Sequence, residues 1–220
     1  MNTKRIVIVG GAASVGKTSL INNLKQLENV VALEKSEIYK HIAKQRNIGM
    51  EDLFSKISEE DFVNGIVEIL KFVDTLVLGL HYAFQPRKDT LLFLGITQSS
   101  ETESYECSIS EEFVERMNSH GISLITSILT AKPDILLNRA INRNKITGQP
   151  IRNFILEDTI KEIEAERQFF EQVSLKSQMS FFVDVDGKSK SVVCEEFLSN
   201  FGGLILQDDK NYLVVKCQNK

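Results

Sequence analysis

The chain has 220 residues, of which 42% are hydrophobic and 25% charged, enough for one soluble α/β domain with a full core. The formal net charge of −4 argues against a protein that coats nucleic acid or binds mainly to anionic membranes, so any basic site must be local. No apolar run approaches the length of a membrane span. We therefore expect a cytoplasmic protein with no nucleic-acid or membrane partner.

The cysteines and histidines are scattered along the chain and do not have the spacing of metal ligands. The three cysteines are odd in number and far apart, which favours free thiols in a reducing compartment. No zinc site is predicted. These residues are Cys107, Cys194, Cys217, His41, His81 and His120.

A phosphate-binding motif follows the first apolar run. Residues 6–9 are typical of a strand buried on both faces of a parallel sheet, and Gly11 to Thr18 then fit G-x-x-x-x-G-K-[ST], the Walker A loop. The two glycines would let the backbone bend so that its N–H groups point at a phosphate. Lys17 would lie beside the β- and γ-phosphates, and the Thr18 hydroxyl would bind Mg²⁺. The predicted phosphate-binding residues are Gly11, Ala12, Ala13, Ser14, Val15, Gly16, Lys17, Thr18 and Ser19.

Helices and short strands alternate after the loop, as in a parallel α/β sheet. Residues 19–27 form the first predicted helix, 30–33 a second strand, 37–46 a helix capped by Ser36, and 51–72 a helical region with Ser58 capping its second half. A third strand at 75–80 should end beside the phosphate loop. A Walker B carboxylate is absent from that end, because Asp74 lies at the other end of the strand.

The second half of the chain continues the same alternation. We predict a strand-like segment at 90–96, a mobile polar loop at 97–108, a helix at 109–120, a fourth core strand at 122–129, and a helix from Pro133 to 144. A long helix at 154–173, a fifth strand at 180–185, a helix to Asn200 and a hairpin at 203–217 follow. The prediction is a single domain, a three-layer α/β sandwich around a five-stranded, mainly parallel sheet.

Three segments resemble the P-loop nucleoside monophosphate kinases, in particular the archaeal-type adenylate kinases and adenylate-kinase-like ATPases. They are the Walker A segment at 6–18, the strand 76–82 containing His81, and residues 131–143, in which a proline opens a helix that carries Arg139 and Arg143. The resemblance covers roughly residues 4–200. It implies a P-loop NTPase fold with an acceptor-binding flap at about 35–73 and a short LID at about 138–153.

The resemblance also implies ATP and Mg²⁺ as cofactors and a nucleotide, such as a nucleoside monophosphate, as the acceptor of the γ-phosphoryl group. By this likeness Arg139 and Arg143 are the LID arginines that neutralise the transferred phosphate, and Lys17 acts on the β- and γ-phosphates. Positive charge around the spreading negative charge is what phosphoryl transfer requires, and arginine makes bidentate phosphate contacts. Alternatively, the basic residues of this segment, including Arg152, only pair with acidic residues 157–166. Arg167 is predicted to form an ion pair within its helix.

Two features depart from the family pattern. The family carries an arginine after the second strand that grips the acceptor monophosphate, whereas residues 49–60 contain Lys56 and no arginine; Arg46 or Arg87 could substitute. The third strand of the family usually ends in an acid followed by histidine, and here Gly79 and Leu80 precede His81. His81 therefore either contacts a substrate or caps the strand end.

Three other functions also use a phosphate-binding loop of this kind. A GTP switch is rejected on two grounds. Thr147 occupies the position at which the guanine-binding motif Asn-Lys-x-Asp needs a carboxylate, and the D-x-x-G match at 184–187 follows this motif in the chain, whereas in GTPases it precedes it. An ATP-binding regulatory or ATPase module without a small-molecule acceptor remains open, as does a kinase with a non-nucleotide acceptor. The sequence predicts no oligomeric state.

Overall fold

The computed structural model describes residues 3–27, 30–49, 52–85, 104–149, 151–153 and 155–205, with no side-chain description for 54, 55 and 201–205. The elements within these ranges alternate between strands and helices along most of the chain. In chain order they are β1 (Arg5–Gly10), α1 (Lys17–Leu24), β2 (Val31–Glu34), α2 (Lys35–Arg46), α3 (Leu53–Lys56), α4 (Glu59–Leu70), β3 (Thr75–Gly79), β4 (Ala83–Phe84), β5 (Glu106–Cys107), α5 (Glu111–Ser119), β6 (Ser123–Thr130), α6 (Pro133–Thr147), α7 (Leu156–Ser174), β7 (Met179–Asp184) and α8 (Lys190–Ile205).

Five of the strands form one parallel sheet in the order β2-β3-β1-β6-β7. These are the five core strands predicted from the sequence, and each strand end lies within one residue of its predicted position. In β1, Ile6 and Ile8 join one core, and Val7 and Val9 join the other. Because both faces of β1 are covered, its sequence is an unbroken apolar run.

Helices cover the sheet on both faces and complete the predicted three-layer α/β sandwich. The core on the Ile6 face is filled by α2, α4, α5 and α7, while the core on the Val7 face is filled by α1, α6 and α8. Within the described ranges, none of the helices has the length and apolar character needed to span a membrane.

The connection between β2 and α2 is tighter than predicted. The helix begins at Lys35 with Glu34 as its N-cap, so Ser36 lies inside the first turn. The Glu37 carboxylate accepts a hydrogen bond of 2.8 Å from the Glu34 amide, and this bond closes the turn two residues earlier than predicted. The predicted cap at Ser58 is confirmed, because Ser58 Oγ accepts from the Asp61 amide at the start of α4.

The ends of two later helices also differ from the prediction. α6 continues to Thr147 and stops at Gly148, whose φ of 68° suits a helix C-terminus. α8 continues to Ile205, so residues 203–205 are helical and not the start of a hairpin. A glycine inside a helix costs only about 1 kcal/mol, which is too little to end it. The rest of the predicted hairpin, the predicted strand 90–96, residues 97–103 and Cys217 lie outside the described residues.

The predicted polar loop 97–108 is partly structured in its described portion. Glu106 and Cys107 form β5, which pairs antiparallel with Phe84 and Ala83 of β4. This small ribbon follows β3 and holds the chain beside the end of the main sheet.

Candidate active site

A cleft of about 980 Å³ lies at the ends of β1, β2 and β3. Parallel α/β sheets bind ligands at this carboxyl edge, where the loops after the strands converge. The lining residues come from the Walker A loop, from the predicted LID, from the start of α2 and from the segment after β3. They are Ala13, Ser14, Gly16, Lys17, Thr18, Ser19, Glu34, Lys35, Ser36, Tyr39, Gly79, Leu80, His81, Phe84, Ser108, Arg139, Arg143, Gln149 and Arg152.

The Walker A loop bends through three residues with positive φ: Gly11 at 131°, Ser14 at 65° and Gly16 at 117°. A Cβ on Gly11 would lie 2.5 Å from the carbonyl oxygen of Leu129, so both the conformation and the space there require glycine. The bend that the glycine spacing predicts is therefore present.

The later part of the loop offers backbone donors to the cleft. The Val15 amide bonds to the Ala12 carbonyl, whereas no side chain in the described ranges accepts a hydrogen bond from the amides of Ser14, Gly16 or Thr18. Ser14 Oγ is buried without a hydrogen-bond partner. Successive amides in such a bend form a concavity that suits an anion.

Two glutamates of α7 occupy the earlier part of the loop. Glu162 Oε1 accepts a hydrogen bond of 2.8 Å from the Ala13 amide, and Glu166 Oε2 accepts one of 3.2 Å from the Gly11 amide. Glu166 Oε2 also accepts from the Tyr82 amide at 2.8 Å. Both carboxylates are buried, with 1% of each residue exposed. Burial raises the pKa of Glu166, whereas the positive charges of Lys17 and Arg152 act to lower it.

Lys17 lies among these carboxylates and does not reach into open solvent. Its Nζ donates to the carbonyls of Gly11 and Ala12, the latter at 3.0 Å, and lies 3.4 Å from His81 Nδ1. Burial lowers the pKa of Lys17, although the charges of Glu166 and Glu162 act in the opposite direction. Hydrogen bonds to carbonyls of the Walker A loop hold the Lys17 ammonium at the Gly11 end of that loop.

His81 connects the end of the β3 segment to α7. Its Nδ1 lies 2.8 Å from Glu166 Oε1, so the ring donates to that carboxylate. Burial and the nearby cations Lys17 and Arg152 lower the pKa of His81 well below its usual value, which keeps the imidazole neutral at pH 7. His81 therefore lines the cleft, and its ring is held by a defined contact with Glu166.

His81, Glu162 and Glu166 also bring three potential metal-ligand atoms within 4.8 Å of one another. The scattered histidines in the sequence gave no sign of this grouping. Arg152 NH1 lies 2.9 Å from Glu162 Oε1 and 3.3 Å from His81 Nδ1, so Lys17 and Arg152 supply two positive charges to balance the two carboxylates.

The predicted arginines fall into two environments. Arg139 donates to the carbonyls of Val15 and Val185 at 3.4 and 3.3 Å, and Arg143 is exposed on the same face of α6; both line the cleft. Arg152 is buried and pairs with Glu162, as the alternative interpretation of this segment requires.

Two predicted basic residues lie elsewhere. Arg46 pairs with Asp61 outside the cleft lining, and Arg87 lies outside the described residues. The predicted intrahelical pair of Arg167 is confirmed, with Glu171 as its partner at 3.0 Å.

Glu34 supplies a carboxylate that the sequence analysis missed. In the β2–β3 ladder Glu34 lies directly opposite Gly79, the residue at the strand end where a Walker B acid was sought. A Cβ on Gly79 would lie 3.0 Å from Glu34 Oε2 and 2.9 Å from Ile21 Cγ1, so Gly79 makes room for this carboxylate. Glu34 Oε1 is buried without a hydrogen-bond partner.

Lys35 places a cation in the cleft lining at the start of α2. Its Nζ bonds to the Ser108 carbonyl at 3.2 Å and lies over the rings of Tyr39 and Phe62, at 5.8 and 5.4 Å from their centroids. Burial lowers the pKa of Lys35 to about 8, and Glu59 and Cys107 act against this shift.

Similar solved structures agree with this architecture. The chain matches shikimate kinase from Bacteroides thetaiotaomicron with 15% identity, a TM-score of 0.50 and coverage of 90% of this chain and 98% of that chain. It matches shikimate kinase from Aquifex aeolicus with 14% identity, a TM-score of 0.50 and coverage of 91% and 98%. A tunicamycin resistance protein from Deinococcus radiodurans matches with 15% identity, a TM-score of 0.51 and coverage of 90% and 96%.

At these identities the likeness establishes a shared fold, an α/β fold around a five-stranded parallel sheet. No protein-family model matches the sequence, and a search among curated proteins gives no significant match.

Proposed function

We propose that the protein binds MgATP at residues 11–19 and transfers the γ-phosphoryl group to a nucleotide or similar small acceptor, as the adenylate-kinase resemblance implies. One observation carries this proposal. A single cleft is lined by the Walker A loop, by the arginines of α6 and by the ends of β2 and β3. A phosphoryl donor and its acceptor need such a shared cleft, because transfer depends on alignment and on stabilisation of charge.

The nucleotide end of the cleft has the donors that this proposal needs. The amides of Ser14, Gly16 and Thr18 would hold the α- and β-phosphates, and Lys17 would act on the β- and γ-phosphates. The exposed Thr18 hydroxyl makes no hydrogen bond with a described residue. A hydroxyl oxygen of this kind suits Mg²⁺, which when bound would neutralise charge on the phosphates.

Arg139 and Arg143 are proposed to stabilise the transferred group. They lie four residues apart in α6 and both line the cleft. Neither pairs with a carboxylate in the described part of the chain, so both guanidinium groups are available to an anionic ligand.

Two residues where β2 meets α2, Glu34 and Lys35, would contact the acceptor. Lys35 forms no ion pair with a described carboxylate and would take the place of the missing acceptor-binding arginine. A partly buried ammonium without a counter-ion is costly, which favours a phosphate or carboxylate group on the acceptor. Glu34 would orient the attacking group and, for an acceptor with a hydroxyl, accept its proton.

A second candidate is an ATP-binding module that hydrolyses ATP slowly and has no small-molecule acceptor. It is favoured by the carboxylates of Glu162 and Glu166, which already occupy two amides of the loop. The absence of an arginine from residues 49–60 agrees with it as well.

A coupled assay of ADP production separates the two functions. The purified protein is incubated with MgATP alone and with each of a panel of nucleoside monophosphates and small phosphorylated or carboxylated alcohols. Acceptor-dependent ADP production supports the kinase. Slow production that no acceptor stimulates supports the module and contradicts the kinase. The Lys17→Met protein serves as the background control.

A further inference from the structure

The carboxylate of Glu162 lies at the end of the Walker A loop that the γ-phosphate of a nucleotide would use. The Walker A lysine acts between the β- and γ-phosphates, and here its Nζ lies at the Gly11 and Ala12 carbonyls. Glu162 accepts a hydrogen bond from the next amide, that of Ala13. The amides that would hold the α- and β-phosphates, from Ser14 to Thr18, are clear of side-chain carboxylates among the described residues.

The two ends of the loop therefore differ in charge. A diphosphate would meet open amides, whereas a third phosphate would meet an anion that already holds the Ala13 amide at 2.8 Å. Arg152 offsets part of the repulsion between Glu162 and a third phosphate, so we expect a change in affinity of about tenfold, well below the repulsion of two unpaired charges in contact. The amides of Ser14, Gly16 and Thr18 are therefore open to a diphosphate, whereas the Ala13 amide, which a third phosphate would need, is already held by Glu162.

Arg152 holds this charge in place. Its NH1 pairs with Glu162 at 2.9 Å, its NH2 donates to the Ala83 carbonyl at 3.2 Å, and its guanidinium lies 5.6 Å from the centre of the Tyr105 ring. Asn153 Nδ2 also donates to Glu162. Arg152 and Asn153 lie between the end of α6 and the start of α7, and Glu162 is released only when both of these contacts break.

We propose that Glu162 is an internal competitor for the terminal phosphate of the nucleotide. In the resting protein it makes diphosphates bind more tightly than triphosphates, and a triphosphate binds fully only when the Glu162–Arg152 pair opens and Arg152 turns to the phosphate. The competitor belongs to the protein itself, and Glu162 is the carboxylate of α7 that holds the amide nearest the open part of the loop. This inference rests on the proposed nucleotide site.

Substitution of Glu162 by Gln tests the inference with little change of shape. The amide oxygen of Gln can still accept from Ala13 and Arg152, and its NH2 group would face Asn153, whose side-chain amide must turn to present its oxygen, while the negative charge is gone. Glu164→Gln is the matched control, because Glu164 lies exposed on the same helix. Calorimetric titrations measure the dissociation constants of MgADP and of the Mg²⁺ complex of a non-hydrolysable ATP analogue for all three proteins.

We expect Glu162→Gln to tighten binding of the ATP analogue about tenfold and that of ADP less than about threefold. Glu164→Gln should leave both constants unchanged. An equal effect on both nucleotides, or no effect on either, overturns the inference while leaving the nucleotide site intact. If none of the three folded proteins binds ADP, the proposed function fails and this inference fails with it.

The wild-type protein provides a second test that needs no variant. Displacement of a bound fluorescent ADP analogue ranks inorganic pyrophosphate against tripolyphosphate in the presence of Mg²⁺. Tighter binding of pyrophosphate supports the inference. Tighter binding of tripolyphosphate, which carries more charge and more acceptor oxygens, overturns it.

Discussion

Gly79→Ala should move the Glu34 carboxylate and lower stability and turnover together. The new Cβ would lie 2.9 Å from Ile21 Cγ1, closer than real contacts of this kind, and 3.0 Å from Glu34 Oε2, tighter than nearly all of them. Overpacking of this size costs about 1–3 kcal/mol, partly offset by about 0.5–1 kcal/mol because alanine loses less backbone entropy than glycine. The expected loss in the free energy of unfolding is therefore about 1 kcal/mol, and at most about 2.5 kcal/mol.

A double-mutant cycle with Glu34→Ala identifies the cause of that loss. Without the Glu34 carboxylate, only the Ile21 contact remains, so Gly79→Ala should cost about 1 kcal/mol less in that background. Urea unfolding of the four proteins gives this coupling. Gly65→Ala is the matched control, because its Cβ would meet side chains of α2 at 3.3–3.4 Å inside a helix, where alanine is favoured.

The same four proteins test the role of Glu34 in the cleft. If Glu34 orients the acceptor, Gly79→Ala lowers kcat about tenfold or more and Glu34→Ala at least as much, while the affinity for ADP changes little. Additive unfolding free energies, within about 0.5 kcal/mol, would show that the two side chains do not meet as described. Unchanged kcat in Glu34→Ala would remove Glu34 from the mechanism.

The remaining predictions concern charge and packing around the same cleft. Arg139→Ala and Arg143→Ala should each lower kcat about 100-fold by removing charge from the transition state, and full turnover in the coupled assay would contradict the LID assignment. Lys35→Met should be more stable than wild type by about 2 kcal/mol at pH 7, because the pKa of Lys35 is about 8 in the folded protein and higher when unfolded. Between pH 8 and about 10.5, Lys35 is protonated in the unfolded protein and neutral in the folded protein, so the free energy of unfolding of wild type rises with pH relative to that of the variant. A difference between the two proteins that does not change with pH would refute the buried charge. Gly10→Ala should unfold the protein or cost about 3 kcal/mol or more, because its Cβ would lie 2.1 Å from the buried Tyr82 ring; a thermal melting temperature equal to wild type would exclude that contact.

The fold could be predicted largely from local patterns. Apolar runs gave the five strands of the sheet, and the glycine spacing of residues 11–18 gave the bend of the phosphate loop. Helix ends were less predictable. The early start of α2 depends on the Glu37 carboxylate, and the continuation of α8 past Asn200 shows that glycines do not necessarily end a helix.

The contacts of the site depend on tertiary distances that the sequence does not state. Glu162 and Glu166 lie on the same helix face as the buried Phe170 and Val173. Acidic residues at the spacing of buried apolar residues were a usable signal that these two carboxylates are buried. Their partners Ala13 and Gly11 lie about 150 residues away, which no local pattern indicates. Glu34 could be placed opposite Gly79 only once the register of β2 and β3 was known.

The central claim is that the Walker A loop binds the phosphates of a nucleotide, and a calorimetric titration with MgADP tests it most directly. Wild type and Lys25→Met, a control just beyond the end of α1, should bind with the same affinity. Lys17→Met should bind about tenfold more weakly or worse, because charge-assisted contacts to phosphate are the strong ones. Equal affinities for all three folded proteins, or no binding by wild type, would contradict the account.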